Sequence, residues 1–174
     1  MIVIDDFLVP KYHHHIQHIL QSPDFPWFYH DNITYKGNDN LTGFGFASTI
    51  TADGETWHNI FFLPFVYQIQ NEIEGDTTIG RVRLDMTLYN PENVLQSPHI
   101  DTQQPHWASI YYVNDSDGDT LIYNETESSD NYTIQKRIEP KANRLLIFDG
   151  KFYHTGSSPS KHKNRVIINS NFYK

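Results

Sequence analysis

The second half of this 174-residue chain is a succession of short β-type runs separated by turn-forming clusters. Residues rich in Val, Ile, Leu, Tyr and Phe fill positions 81–89, 107–113, 120–123, 132–138, 144–148 and 165–173. Between them stand groups such as Asn114-Asp115-Ser116-Asp117-Gly118 and Asp149-Gly150. Asn, Asp, Ser and Gly tolerate the backbone of tight turns, so these clusters mark reversals. Many short strands at such spacing predict a sandwich or jelly roll. Aromatic content agrees: 11 Tyr, 11 Phe and 3 Trp make up 14% of the chain. Such side chains suit half-buried pleated surfaces.

The first half reads differently. Residues 2–4 predict a short strand, and residues 10–20 a helix with Pro10 in its first turn. Tyr12, Ile16, Ile19 and Leu20 give that helix an apolar stripe. A strand-and-loop region follows and ends in Phe44-Gly45-Phe46. Residues 56–73 predict a second helix, with Thr56 as its cap and Pro64 as a kink or break. The expectation is one domain spanning 1–174. Residues 1–80 form a helical support of two helices, and residues 81–174 form a jelly-roll core of about eight strands.

Composition narrows function. Net charge is −8, and the basic cluster Lys161-His162-Lys163 is short. Tight binding to a phosphate backbone needs clustered cations, so a nucleic-acid substrate is disfavoured. No cysteine is present, which excludes disulfides, thiolate metal sites and thiol nucleophiles. The start, Met1-Ile2-Val3-Ile4-Asp5-Asp6, lacks the basic and long apolar regions of a signal peptide. No run approaches about 18 apolar residues. A soluble, cytoplasmic protein acting on a small molecule or peptide is expected, with no membrane partner.

Chemistry concentrates in two places. In Ser97-Pro98-His99-Ile100-Asp101, an extended backbone puts His99 and Asp101 on one face, because strand side chains alternate. His154 follows an apolar run and a turn, so it can return to the same end of a barrel. Two His and one carboxylate on one face of an octahedron are a ligand set for iron(II) with open positions. By itself the His-x-Asp pattern also fits a turn in which Asp101 caps and His99 is a surface residue. Ten histidines and 21 acidic residues produce such pairs by chance. The second place is Arg165, eleven residues after His154 at the start of the last run. Its planar fork can hold a carboxylate through two parallel hydrogen bonds. A dicarboxylate chelating a metal at one end needs such an anchor at the other. Alternation sets Arg165, Ile167, Asn169 and Asn171 on one face of that run, so Asn169 and Asn171 are candidates to line the same cavity.

Four segments, in order, carry a family resemblance. They are TLYNPENVLQSPHID (residues 87–101), WASIYYVNDSDGDTLIY (107–123), IEPKANRLLIFDGKFYHTG (138–156) and NRVIINSNFY (164–173). From residue 81 to 173 the chain resembles the prolyl-4-hydroxylase-like branch of the 2-oxoglutarate and iron(II)-dependent oxygenases. The resemblance implies a double-stranded β-helix of the cupin-like jelly-roll type. It implies a dioxygenase that hydroxylates a C–H bond of a peptidyl prolyl residue or a small amino-acid-like substrate. That reaction is coupled to decarboxylation of 2-oxoglutarate to succinate, with ascorbate as a candidate reductant. Carried over by position, His99, Asp101 and His154 hold iron, and Arg165 holds the distal carboxylate of the cosubstrate. Tyr112 shares that carboxylate, and Tyr89 lies beside the cosubstrate. Asp101 at the second ligand position argues for hydroxylation over halogenation. Departures from the pattern are Ile167 for a Ser or Thr, Asn171 for a Trp, and Asp117-Gly118-Asp119-Thr120 for Gly-Gly-Glu-Thr. They touch pocket polarity and so bear on substrate identity.

Two other classes fit the same sequence. One is a cupin-like metalloenzyme that does not use 2-oxoglutarate. The other is a non-catalytic jelly-roll binding module, for which the three ligand side chains need not converge. Other histidines have plain structural readings. His13, His14, His15 and His18 are expected on a solvated helix face, and His162 in an exposed loop. His106 is expected at the pocket entrance or in a structural role, and Trp57 and Trp107 in the core.

Overall fold

The structure, a computed structural model, describes residues 1–33, 43–52 and 60–174. Among these, the chain runs β1 (Ile2–Ile4), α1 (Pro10–Leu20), β2 (Phe28–His30), β3 (Gly45–Thr51), a 3₁₀ turn (Ile60–Phe62) and α2 (Leu63–Asn71). It continues β4 (Thr78–Leu88), β5 (His106–Tyr112), β6 (Thr120–Tyr123), β7 (Ile134–Ile138), β8 (Arg144–Asp149), β9 (His154–Gly156) and β10 (Asn164–Tyr173). The mainly β architecture with two helices in the first half is the one the sequence predicts.

A seven-stranded antiparallel sheet has the order β1-β8-β5-β10-β4-β3-β2, and a three-stranded sheet the order β7-β6-β9. Two isolated antiparallel bridges, Leu95 to Ser157 and His99 to His154, draw residues 95–99 alongside the small sheet. Ile122 and Ile138 of the small sheet pack with Ala108, Ile110, Tyr112, Leu146, Phe148 and Ile167 of the large one. The two sheets therefore face each other over a shared core.

Strand parity explains why the large sheet is buried on both faces. In β4, β5, β8 and β10, residues such as Leu84, Tyr111, Leu145 and Ile168 point away from the small sheet. There they meet Ile16 and Leu20 of α1 and Phe65, Val66 and Ile69 of α2. Each such side chain removed from water contributes roughly 1.5–3 kcal/mol. The opposite parity points between the sheets, where the candidate site lies.

Local differences from the sequence reading have simple causes. The second helix begins at Leu63 after the 3₁₀ turn, with Pro64 in its first turn. A proline there loses no helical hydrogen bond, so Pro64 starts the helix rather than kinking it. Thr56 and Trp57 lie outside the described residues. The first 80 residues supply β1, β2 and β3 to the large sheet as well as both helices. His13 is not on a solvated face. It falls in register with Ile16 and Leu20 on the buried stripe, and its Nδ1 lies 2.6 Å from the Tyr111 hydroxyl. His14, His15 and His18 are exposed as expected, as is His162. No helix among the described residues is long and apolar enough to cross a membrane.

Candidate functional site

His99 and His154 face each other across a bridge closed by two backbone hydrogen bonds. His99 N–H donates to the His154 carbonyl at 3.0 Å, and His154 N–H donates to the His99 carbonyl at 2.9 Å. Paired residues of an antiparallel ladder project to the same side, and the two imidazole centroids stand 4.6 Å apart. Asp101, two residues on, falls on that face. One ligand atom from each of His99, Asp101 and His154 lies within 4.8 Å of the others, and His154 Nε2 is 3.8 Å from Asp101 Oδ2. Bonds of about 2.1 Å at right angles would put such donors about 3 Å apart, so a small inward closure completes a ligand set.

The imidazoles present the correct nitrogen. His99 Nδ1 lies 3.0 Å from the Ser97 carbonyl, and His154 Nδ1 lies 3.4 Å from the Phe152 carbonyl. A carbonyl only accepts, so each Nδ1 carries the proton and each Nε2 lone pair is left for a metal. Burial, then the neighbouring His99, pushes His154 down to about 4 against the pull of Asp101. His154 is therefore neutral at physiological pH, as a ligand must be.

The Asp101 carboxylate is tightly held. Arg81 Nη2 donates to Oδ1 at 2.7 Å, Asn171 Nδ2 to Oδ2 at 2.9 Å, and Asn169 Nδ2 to both oxygens at 3.2 and 3.4 Å. Burial would raise this carboxyl. His154, Arg81 and His99, with the Asn171 hydrogen bond, instead hold it far below the ordinary carboxylate range. Arg81 engages the oxygen other than the one nearest His154, which leaves Oδ2 facing the imidazoles.

Arg165 supplies the other end. It is buried, and Nη2 donates to the Thr120 hydroxyl at 2.7 Å while Nε has no partner. None of the ion pairs among the described residues involves it. Burial pulls its pKa down, opposed by Tyr112 and Asp85. The Tyr112 hydroxyl also donates to Thr120 Oγ1, at 2.7 Å. A hydroxyl has two lone pairs and one proton. Thr120 uses both lone pairs here, so its proton remains available to an acceptor. A buried cation in no ion pair among the described residues, beside an uncommitted hydroxyl donor, fits a carboxylate ligand. Two glycines admit the guanidinium. A Cβ on Gly156 would sit 3.2 Å from Arg165 Nη1, and one on Gly118 would strike the Ser157 carbonyl and approach Arg165 Cδ at 2.9 Å.

One cavity joins the two ends. Its lining includes His99, His154, Arg165, Asn169, Thr120 and Ile110, with Arg83, Asp85 and Thr87 from β4. Of the β10 face expected from alternation, Arg165, Ile167 and Asn169 line the cavity, whereas Asn171 does not and instead donates to Asp101. Tyr112 stands behind Thr120 and touches the cavity residues rather than lining it. Tyr89 is not brought in. It continues the parity of Arg83, Asp85 and Thr87, but β4 ends at Leu88, and Tyr89 is 55% exposed with its N–H bonded to the Lys163 carbonyl. His106 is buried against Gly150, with Nδ1 2.8 Å from the Gln104 carbonyl, and does not line the cavity.

Residues of β4 escaped the sequence reading. Arg81, Arg83, Asp85 and Thr87 alternate with Val82, Leu84, Met86 and Leu88. That pattern usually signals a strand with one face in water. Here the apolar face meets the helices and the polar face meets the cavity.

The 2OG-Fe(II) oxygenase superfamily model matches residues 85–173. No curated protein matches the chain. Among solved structures, a Trichoplax adhaerens prolyl hydroxylase, in complex with a hypoxia inducible factor peptide fragment, is 18% identical with a TM-score of 0.66, covering 99% of this chain and 82% of that one. A Pseudomonas putida prolyl-4-hydroxylase is 12% identical with a TM-score of 0.61, covering 99% and 91%. SnoN, a non-heme alpha ketoglutarate dependent epimerase from nogalamycin biosynthesis, is 9% identical with a TM-score of 0.70, covering 99% and 78%. At these identities the likeness establishes the fold, which is the double-stranded β-helix with flanking helices.

Proposed function

Because the chain belongs to the 2OG-Fe(II) oxygenase superfamily, we propose that it is a hydroxylase of a peptidyl prolyl residue or a small amino-acid-like substrate. The family implies iron(II) and 2-oxoglutarate, and the His99, Asp101 and His154 donors fit iron. The observation that carries the reading is that His99 and His154 of that triad line one cavity with Arg165, which is buried and in no ion pair among the described residues.

The assignments follow from the contacts. Nε2 of His99, Nε2 of His154 and a carboxylate oxygen of Asp101 would hold iron(II). Arg81 holds Oδ1, and Oδ2 is the oxygen nearest His154 and so the ligand atom Asp101 would offer. Arg165 and the Thr120 hydroxyl would take the distal carboxylate of 2-oxoglutarate, and Tyr112 fixes Thr120 in the donating orientation. Bound iron and cosubstrate supply the oxidation of a C–H bond by dioxygen, with 2-oxoglutarate leaving as succinate and carbon dioxide. The protein orients the reactants and keeps water out with Ile110 and Ile167. Asp101 occupies a position where halogenating relatives have a small residue, which favours hydroxylation.

The test is oxygen-dependent conversion of 2-oxoglutarate to succinate with iron(II), for wild type, His99→Ala and Asp101→Ala. The wild type is expected to turn over, and both variants are expected to lose at least about 100-fold. Equal turnover in all three would remove the assignment.

A further inference from the structure

Arg83 and Asp85 lie two residues apart on β4 and line the same cavity as His99 and His154. The pairing of β4 with β10 gives their depth. Thr87 is opposite Arg165, Asp85 opposite Ile167, and Arg83 opposite Asn169, the residue that touches Asp101. The pair thus occupies the stretch between the carboxylate anchor and the metal ligands, on the wall contributed by β4 and Ile33.

The two side chains are close but poorly satisfied. Arg83 Nε is 2.8 Å from Asp85 Oδ1, yet neither atom has an aligned hydrogen-bond partner. Arg83 Nη2 is tied to the Ile33 carbonyl at 2.9 Å, which fixes the guanidinium. The Asp85 side chain is 6% exposed and that of Arg83 is 23% exposed. Arg165 does not consume Asp85, because no ion pair joins them. Gln96 Nε2 and Asn169 Oδ1, also on cavity-lining residues, are buried without partners. Buried polar atoms are nearly always bonded, so this wall holds polar groups whose partners must come from what fills the cavity.

Resting on the oxygenase reading above, we propose that Arg83 and Asp85 bind the carboxylate and ammonium of a free α-amino acid, which is the substrate class of this protein. The charges of the pair sum to zero, and so do those of a zwitterion. A zwitterion laid head to tail against the pair replaces one misaligned contact by two aligned, charge-assisted ones. Gln96 Nε2 adds a donor for its carboxylate. An internal residue of a peptide carries neither charge, so its N–H and C=O can hydrogen-bond the pair but cannot ion-pair with it.

The experiment uses titration calorimetry on protein held with zinc(II) and 2-oxoglutarate, a form that binds without turning over. The probes are the twenty free L-α-amino acids and the N-acetyl amide of each. At least one free amino acid is expected to bind about 30-fold or more tightly than its blocked form. Asp85→Asn and Arg83→Gln are each expected to lower that affinity by about 30-fold or more, the usual loss when one member of a buried charge pair is truncated. Wild-type protein alone decides the point if a variant fails to fold. Equal binding of free and blocked forms, binding of blocked forms alone, or no binding across the panel overturns the proposal. Substrate-free succinate release by the wild type with iron(II) separates the two readings. Its presence beside any overturning result leaves the oxygenase intact and rejects the amino-acid site. Its absence beside an overturning result rejects both.

Discussion

Arg165→Met should move cosubstrate affinity and stability in opposite directions. In the cosubstrate-free protein the guanidinium is buried with no ion-pair partner among the described residues, and its Nε is unbonded. Replacing a buried charge by an apolar side chain of similar length is neutral or stabilising by roughly 1–4 kcal/mol. Loss of the Thr120 hydrogen bond offsets about 1 kcal/mol of that. A net gain of about 1 kcal/mol raises the melting midpoint of a chain this size by about 2–4 °C. Binding behaves oppositely. Losing one member of a buried charged pair costs roughly 2–5 kcal/mol, or about 30- to several-thousand-fold in affinity. At about 100 times its dissociation constant, 2-oxoglutarate stabilises wild type by about 2.7 kcal/mol, a further rise of about 5–10 °C. Differential scanning calorimetry of zinc-loaded protein, with and without 2-oxoglutarate, reads both effects. The variant should melt higher alone and show no cosubstrate-dependent shift. A variant that melts lower and keeps the shift would refute the reasoning and make Arg165 a structural residue.

Arg81→Gln removes the cation 2.7 Å from Asp101 Oδ1, and metal affinity measured by competition with a chelator should fall about 10–100-fold. Gly118→Ala places a methyl group against the Ser157 carbonyl and Arg165 Cδ; denaturant unfolding should show a loss of about 1–3 kcal/mol, with weaker 2-oxoglutarate binding. Acidification should destabilise the metal-free protein in two stages. His154 has a folded pKa of about 4, below the 6.5 of an unfolded histidine, so the unfolded chain gains a proton first. Stability falls as pH drops from 6.5 towards 4, by about 3 kcal/mol in all. Asp101 is also depressed, so its contribution is present above 3.8 and is lost below it. A flat stability profile between pH 7 and 4 contradicts the burial of a neutral His154.

Legibility in the sequence followed the physics of each element. β6 matches its sequence range at both ends, and β5 and β8 match within about one residue, because their apolar runs end in Asn-, Asp- and Gly-rich turns; β10 also matches within about one residue. The cluster of His99, Asp101 and His154 was legible as a candidate because His-x-Asp on an extended segment shares a face and the ordered family segments carry all three with Arg165, and Asn169 followed from the alternation of β10. Other features depend on what lies opposite. Nothing local distinguishes the polar face of β4 from a face turned to water, since only the facing sheet makes it an interior. His13 looked like its exposed neighbours, although i, i+3 and i+7 spacing to Ile16 and Leu20 places it on the buried stripe. Tyr89 had the correct parity but stands one residue beyond the end of its strand. The role of Thr120 required the contacts from both Tyr112 and Arg165, which meet only in the fold.

The most direct test of the two-ended site is a crystal structure of the protein loaded anaerobically with iron(II) and 2-oxoglutarate, with the metal located by anomalous scattering. One peak is expected within about 2.0–2.2 Å of His99 Nε2, His154 Nε2 and one Asp101 oxygen, with the distal carboxylate of 2-oxoglutarate on Arg165 and Thr120. A peak that lacks any of these three ligands, or a cosubstrate carboxylate seated on Arg83 instead, would contradict the account.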